Sequence, residues 1–265
     1  RALDKIKPYF SHGLQLICGL ALPVLMLCLW YVATQQQWLP EQILPAPQLV
    51  WSTTVELWQS GELQFHFAVS ASRILWSVLI GASVGLFLGT WLAVAKRSRD
   101  YVFPSINLIA QFPIVGWIPL LMIFLGIDEA LKIAAISLAV FPPVLIATYK
   151  GIANVPNSLL EVAEVYQFSK WQKLQRVIVP AALPSIISGL RQGIMQAWLA
   201  LVFVELLASS EGIGYLMVWG RQLLQLDIIF MAIVLIGLTG YFLDSGLAIA
   251  ERVARFYATR VGAKA

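Results

Sequence analysis

Charge is what this sequence has least of. Only 12% of its 265 residues are Asp, Glu, Lys or Arg, about half the roughly 25% of a soluble domain. So few charges cannot cover a water-facing surface on a chain of this length, and 59% hydrophobic residues must face lipid instead. Cysteine is almost missing. Cys18 and Cys28 share one apolar run without metal-ligand spacing, which excludes a disulfide framework or a cysteine metal site and leaves them as apolar filler. Histidine occurs twice, and His12 and His66 fall on opposite sides of the membrane in the topology below. The sequence also lacks H-E-x-x-H, G-x-S-x-G and G-x-x-x-x-G-K-[ST]. No metalloprotease, serine hydrolase or P-loop chemistry is therefore expected, nor a metal or cofactor in this chain. The net charge of +4 and pI near 9.1 could suit nucleic acid, but the basic residues sit in short clusters between apolar runs, the pattern of membrane topology.

Six stretches approach the 20 or so apolar residues that a helix needs to cross a bilayer: 14–34, 68–95, 101–126, 131–149, 184–208 and 228–250. The first is too long, and lacks the small-residue cleavage pattern, for a removed signal peptide. The third is interrupted by Pro104, Pro113 and Pro119, and the fourth holds Pro142 and Pro143. If the six alternate, one side receives Arg1, Lys5 and Lys7; Lys96, Arg97 and Arg99; Lys150, Lys170, Lys173 and Arg176; and Arg252, Arg255, Arg260 and Lys264. That is fourteen of the eighteen basic residues, against Lys132 and Arg221 on the other side, which holds Glu41, Glu56, Glu62, Asp128, Glu129, Glu211 and Asp227. The bias predicts an all-α integral membrane protein, six transmembrane helices with both termini cytoplasmic, forming one domain over 1–265.

Two segments lie outside lipid. The outer loop carries Leu44-Pro45-Ala46-Pro47, and Pro47 is placed to start a helix over Gln48–Ser60, lying at the interface with Trp51 and Trp58 at headgroup level. The cytoplasmic loop 150–183 is too long for a hairpin turn. Helix-start chemistry at Asn154 or Asn157 precedes Leu159, Leu160, Ala163, Tyr166 and Phe168 near helical spacing, with Glu161 and Glu164 off that face. Such an amphipathic helix either lies on the membrane or enters a groove on a partner.

Within the spans, Gly81, Gly85 and Gly89 recur every four residues and predict close helix packing. The prolines free backbone carbonyls that must be satisfied inside protein or at a water-lined cavity, pointing to a path near Gln111–Pro119 and Phe141–Pro143. Glu205, Asp244 and Arg73 lie near span ends. Arg73 has two readings, a partner for Glu205 or an attractor of an anionic substrate.

The stretch Leu159-Leu160-Glu161-Val162-Ala163, then Gln167, then Val177-Ile178-Val179-Pro180, resembles the EAA motif of ABC importer permeases: E-A-A, three residues, Gly, nine residues, I-x-L-P. Val162 stands for the first Ala, and Gln167 for the Gly, where a positive φ would strain it. Leu44-Pro45-Ala46-Pro47, Gly61-Glu62-Leu63, Gly126-Ile127-Asp128-Glu129, Pro180-Ala181-Ala182-Leu183-Pro184, Gly189-Leu190-Arg191 and Gly212-Ile213-Gly214-Tyr215 extend the likeness over nearly the whole chain. They resemble the sulfonate/taurine/nitrate branch, the aliphatic sulfonate permeases most of all. The resemblance implies a type I ABC importer permease fold in a bacterial inner membrane. It implies a homodimer, two ATPase subunits that carry ATP and Mg, and a periplasmic substrate-binding protein. It places Leu160, Glu161, Ala163, Tyr166, Gln167, Phe168 and Pro180 at the ATPase contact. Gln111, Trp117, Gln196, Trp198 and Glu205 are the expected substrate path. A secondary transporter would instead show internal repeats and mid-membrane charges, and no clear repeat is visible.

Overall fold

The computed structural model describes Gly19 and residues 21–262, with side chains described except at 96–100 and 257–262. Arg1, Lys5, Lys7, His12, Cys18 and Lys264, and the first turn of the first expected span, lie outside the described residues. Those described form helices and turns, with no strand among them.

An apolar helix α1 (Ala21–Gln35) is followed by α2 (Pro47–Gln59), which starts with proline in its first turn. Then come α3 (Glu62–Val94), α4 (Lys96–Ala110), α5 (Ile114–Leu125) and α6 (Glu129–Ala153). After α6 come α7 (Asn157–Val165) and α8 (Lys170–Lys173), which runs through a π-turn (Leu174–Ile178) into α9 (Val179–Ala208). The chain ends with α10 (Ile213–Gln222) and α11 (Leu226–Gly262). Helices α3 and α6, the stretch Lys170–Gln222 that holds α8, α9 and α10, and α11 are long and apolar enough to cross a membrane, and α4 with α5 makes a fifth span if the bent pair is taken as one.

The third expected span is not one helix. α4 and α5 meet at 99°. Three prolines competed for the break and Pro113 makes it: with φ −63° and ψ 137° it is the non-helical residue before α5. Pro104 and Pro119 lie inside α4 and α5 without ending them. α6 likewise runs unbroken through Pro142 and Pro143.

α6 is the central post. On one side α3 lies almost backbone to backbone with it. A Cβ added at Gly81, Gly85 or Gly89 would sit 2.6, 3.0 or 2.7 Å from the carbonyl oxygens of Ser137, Phe141 and Leu145. On the other side α9 approaches through Gly189 and Gly193, packed on Ala147, Val144 and Val140. In lipid no hydrophobic difference drives helices together, so close van der Waals contact through small residues supplies the attraction. The core sealed this way centres on Ile136, Val140, Val144, Ala197, Leu201 and Val204.

Candidate functional site

A cavity of about 400 Å³ opens where the α4–α5 bend faces α6 and α9, lined by Gln111, Trp117, Gln192 and Gln196 among others. Its α6 wall holds Leu138, Ala139, Pro142 and Pro143. A proline lacks the N–H that would bond the carbonyl four residues back, so Pro142 and Pro143 free the carbonyls of Leu138 and Ala139, the two residues that line the cavity with them. Phe112 and Trp117 meet edge to face at 6.1 Å beside it. Among the described residues no charged one lines this space. Its chemistry is neutral amide, carbonyl and aromatic face, which can hydrogen-bond a passing solute without holding an ion by charge.

Three of the five expected path residues meet here: Gln111, Trp117 and Gln196. Trp198 and Glu205 do not line the cavity. Trp198 is buried at 5% exposure and lies against α11, where a Cβ on Gly240 would come within 2.8 Å of its Nε1. Gln192 was missed by the sequence reading, although it lies one turn before Gln196 on the same face.

Glu205 belongs to a second site, at the outer end in the expected topology, and both it and Arg73 are enclosed, at 0% and 1% exposure. Arg73 donates from Nη1 to Glu205 Oε1 at 2.8 Å and to the Glu211 carbonyl at 2.8 Å. Its Nε and Nη2 take both oxygens of Glu129 at 2.8 and 2.6 Å, and Lys132 donates to the same carboxylate at 2.7 Å. Of the two readings of Arg73, the structure shows the ion pair. Three successive amides at the start of α10 are capped by this cluster. Gly212 N–H donates to His66 Nδ1 at 2.9 Å, Ile213 N–H to Ser70 Oγ at 2.9 Å, and Gly214 N–H to Glu205 Oε2 at 2.8 Å. His66, Ser70 and Arg73 lie one turn apart on one face of α3, a polar stripe in an apolar helix that the sequence displayed and our reading passed over. Gly212, at φ +109°, turns the chain tightly over Glu205: a Cβ there would overlap the carboxylate.

A third cluster joins α9 and α11 nearer the other end. Arg191 donates to Asp244 at 2.7 Å and to Glu251 at 3.0 Å, and Arg255 donates to Glu251 at 2.7 Å. Arg191 and Asp244 are partly exposed, at 31% and 47% of their side chains.

The segment between α6 and α9 forms a small helical knob. Asn157 is the first residue of α7 and Pro156 precedes it, while Asn154 ends α6; no side chain caps the start. The exposed apolar side consists of Leu159, Val162, Val165 and Tyr166. Of the others expected on that side, Ala163 is buried at 1%, and Leu160 and Phe168 are half-buried. Glu161 is exposed. Gln167 has φ +53°, and the amides of Gln167 and Phe168 return to the carbonyls of Glu164 and Ala163, each at 2.9 Å. This is the left-handed helix stop that usually carries glycine. Ser169 and Gln172 cap α8 reciprocally. Lys173 pairs with Glu164 at 2.9 Å, and the Arg176 guanidinium lies 5.8 Å from the centre of the Phe168 ring. Among the described residues no group of three or more His, Cys, Asp or Glu could hold a metal.

Long apolar helices around a neutral polar cavity, with a helical knob on a loop outside the bundle, define a membrane transport component. The chain belongs to the family of binding-protein-dependent transport system inner membrane components, whose pattern matches residues 81–255. It is 37% identical over 234 residues (88% of this chain, 85% of the relative) to a Bacillus subtilis (strain 168) protein that bears the name aliphatic sulfonates transport permease protein SsuC. It is 36% identical over 232 residues (88% of each) to the protein of that name in Escherichia coli (strain K12). With the taurine transport system permease protein TauC of the same strain, identity is 31% over 236 residues (87% and 86%). Among solved structures, an amino acid ABC transporter with histidines aligns at TM-score 0.63 and 16% identity, over 77% of this chain and 97% of that one. An inward-facing MetNI methionine ABC transporter aligns at 0.59 and 15%, over 79% and 99%. The fold is that of an ABC importer permease. The chain is thus an inner-membrane permease subunit, a non-catalytic component whose importer hydrolyses ATP on a separate subunit.

Proposed function

We propose that the chain is the permease of an importer for aliphatic sulfonates. In this reading it crosses the membrane six times with both termini cytoplasmic. Two copies pair around the α4–α5–α6–α9 cavity. Each copy docks its α7 knob on an ATPase subunit that binds ATP and Mg, and a periplasmic binding protein delivers substrate. The observation that carries the substrate class is the likeness over 88% of the chain to two sulfonate permeases, with the taurine permease further off. The neutral cavity supports a path through Gln111, Trp117, Gln192 and Gln196 that passes an anion without trapping it, selection being left to the binding protein. For the ATPase contact the support is an exposed apolar side on α7, with Glu161 beside it and Leu160, Ala163, Tyr166, Gln167 and Phe168 on the same knob; Pro180 lies beyond the knob, as the second residue of α9. Exposed apolar faces of this kind mark interaction sites.

The test is purification of the tagged chain in mild detergent with its bound proteins. ATP hydrolysis is then followed with the matching binding protein plus alkanesulfonates, taurine or nitrate. We expect a co-purifying ATPase, its loss on Glu161→Lys, and stimulation by alkanesulfonates above the others. Stimulation by taurine or nitrate alone would reassign the substrate. Absence of any ATPase would return the chain to a secondary-transporter reading.

A further inference from the structure

The knob and the helix it feeds differ in how they are held. From Asn157 to Lys173 the chain is tied to itself at three places: the helix stop at Gln167–Phe168, the Ser169–Gln172 capping pair and the Lys173–Glu164 ion pair; from the next turn the Arg176 guanidinium reaches back over the Phe168 ring. From Ala182 onward α9 is fixed in the bundle. Ala182 is 0% exposed, Ser185 Oγ donates to the Ala147 carbonyl at 2.8 Å, and Gly189 and Gly193 lie against α6.

The stretch between them, Leu174–Ala181, holds no buried residue. Its backbone is not an ordinary helix. It makes a π-turn in which the Val179 amide reaches back five residues to the Leu174 carbonyl. Pro180 and Pro184 follow, four residues apart, and each removes a donor. An α-helix would use those donors on the carbonyls of Arg176 and Pro180. Widened bonding, the two carbonyls that lose their donors (Arg176 and Pro180) and the lack of a fully buried side chain all fall on the residues joining a self-tied knob to an anchored helix. Turns of the π type inside helices concentrate at functional positions, and kinks arise where proline breaks the ladder.

We infer that Pro180 and Pro184, with the π-turn Leu174–Ile178, are positioning residues of the transport cycle. They form a joint at which the α7–α8 knob turns as a unit relative to α9, so that movement of the ATPase-bound knob reaches the cavity wall at Gln192 and Gln196. The inference rests on the ABC importer reading above and adds the place where the transmission bends.

The test uses the complete transporter in liposomes, with binding protein and an alkanesulfonate, comparing wild type with the double variant Pro180→Ala/Pro184→Ala. Restoring both donors stiffens the joint. We expect the ATPase to co-purify as before and to hydrolyse ATP, while substrate imported per ATP falls severalfold, a ratio that simple loss of protein would not move. Unchanged import per ATP would overturn the joint while leaving the importer reading intact. A wild-type chain without any ATPase would sink both. Should the double variant not assemble, spin labels on the otherwise intact protein decide. With the native cysteines replaced, the Ser158–Leu199 distance should change between nucleotide-free and ATP-trapped states, and the Ser158–Trp171 distance within the knob should not. A Ser158–Leu199 distance that stays fixed would equally overturn the joint.

Discussion

The two ends of the bundle solve opposite problems with the same residue types. Around Arg73, the carboxylates of Glu129 and Glu205 and the Glu211 carbonyl are gathered on a guanidinium that is 1% exposed, and His66, Ser70 and Glu205 accept from the three amides at the start of α10. Around Arg191, the carboxylates of Asp244 and Glu251 are gathered in a partly exposed place. Enclosure decides the difference. An ion pair out of water is unforgiving, since removing one partner strands a buried charge, whereas an exposed pair is screened and contributes little. The Arg73 cluster fastens α3, α6, α9 and α10 into one piece. Towards the other end of the same α9, a π-turn and two prolines leave the helix loosely bonded. One end is built to stay fixed and the other to bend.

Breaking the Arg73 cluster should have the largest effect. Arg73→Met strands Glu205 at 0% exposure and should lower stability by roughly 3–5 kcal/mol, read as a large fall in unfolding temperature in detergent. Gly212→Ala should come next, at about 3 kcal/mol, because its Cβ overlaps the Glu205 carboxylate and its φ is +109°. Gly61→Ala is the control. It also has positive φ, +85°, but nothing lies within 4 Å of the added carbon, so only backbone strain of about 1 kcal/mol is expected. Arg191→Met should shift the unfolding temperature far less than Arg73→Met, and a shift of equal size would remove the contrast between the clusters. The smallest change runs the other way: Gln167→Gly relieves a left-handed non-glycine at φ +53° and should stabilise the knob by about 1 kcal/mol, seen as slower amide exchange at Phe168.

Much of this was legible beforehand where the cause is local. Pro47 starts α2, Gly81, Gly85 and Gly89 pack on α6, and the positive φ conditionally expected at Gln167 is present. Where the cause is distant, the sequence was silent. Arg73 and Glu205 are 132 positions apart, so nothing local could choose between ion pair and substrate contact. Gly212-Ile213-Gly214 read only as a family likeness, and its physical reason is the carboxylate it wraps. Which of Pro104, Pro113 and Pro119 breaks the third span depends on the packing of α5 against α6 and α9. The expected apolar face of the knob is divided for a related cause: Leu159 and Tyr166 are exposed while Ala163 is buried and Leu160 and Phe168 are half-buried, and helical spacing alone does not show how the segment folds on itself.

Hydrogen exchange on the intact protein in lipid nanodiscs tests the contrast most directly, because both ends are read in one sample. The account predicts that the amides of Gly212, Ile213 and Gly214 exchange at rates approaching those of the α6 core, while those of Gln175–Val179 and Ala181 exchange orders of magnitude faster. Equal protection at the two places, or slower exchange in the π-turn, would contradict it.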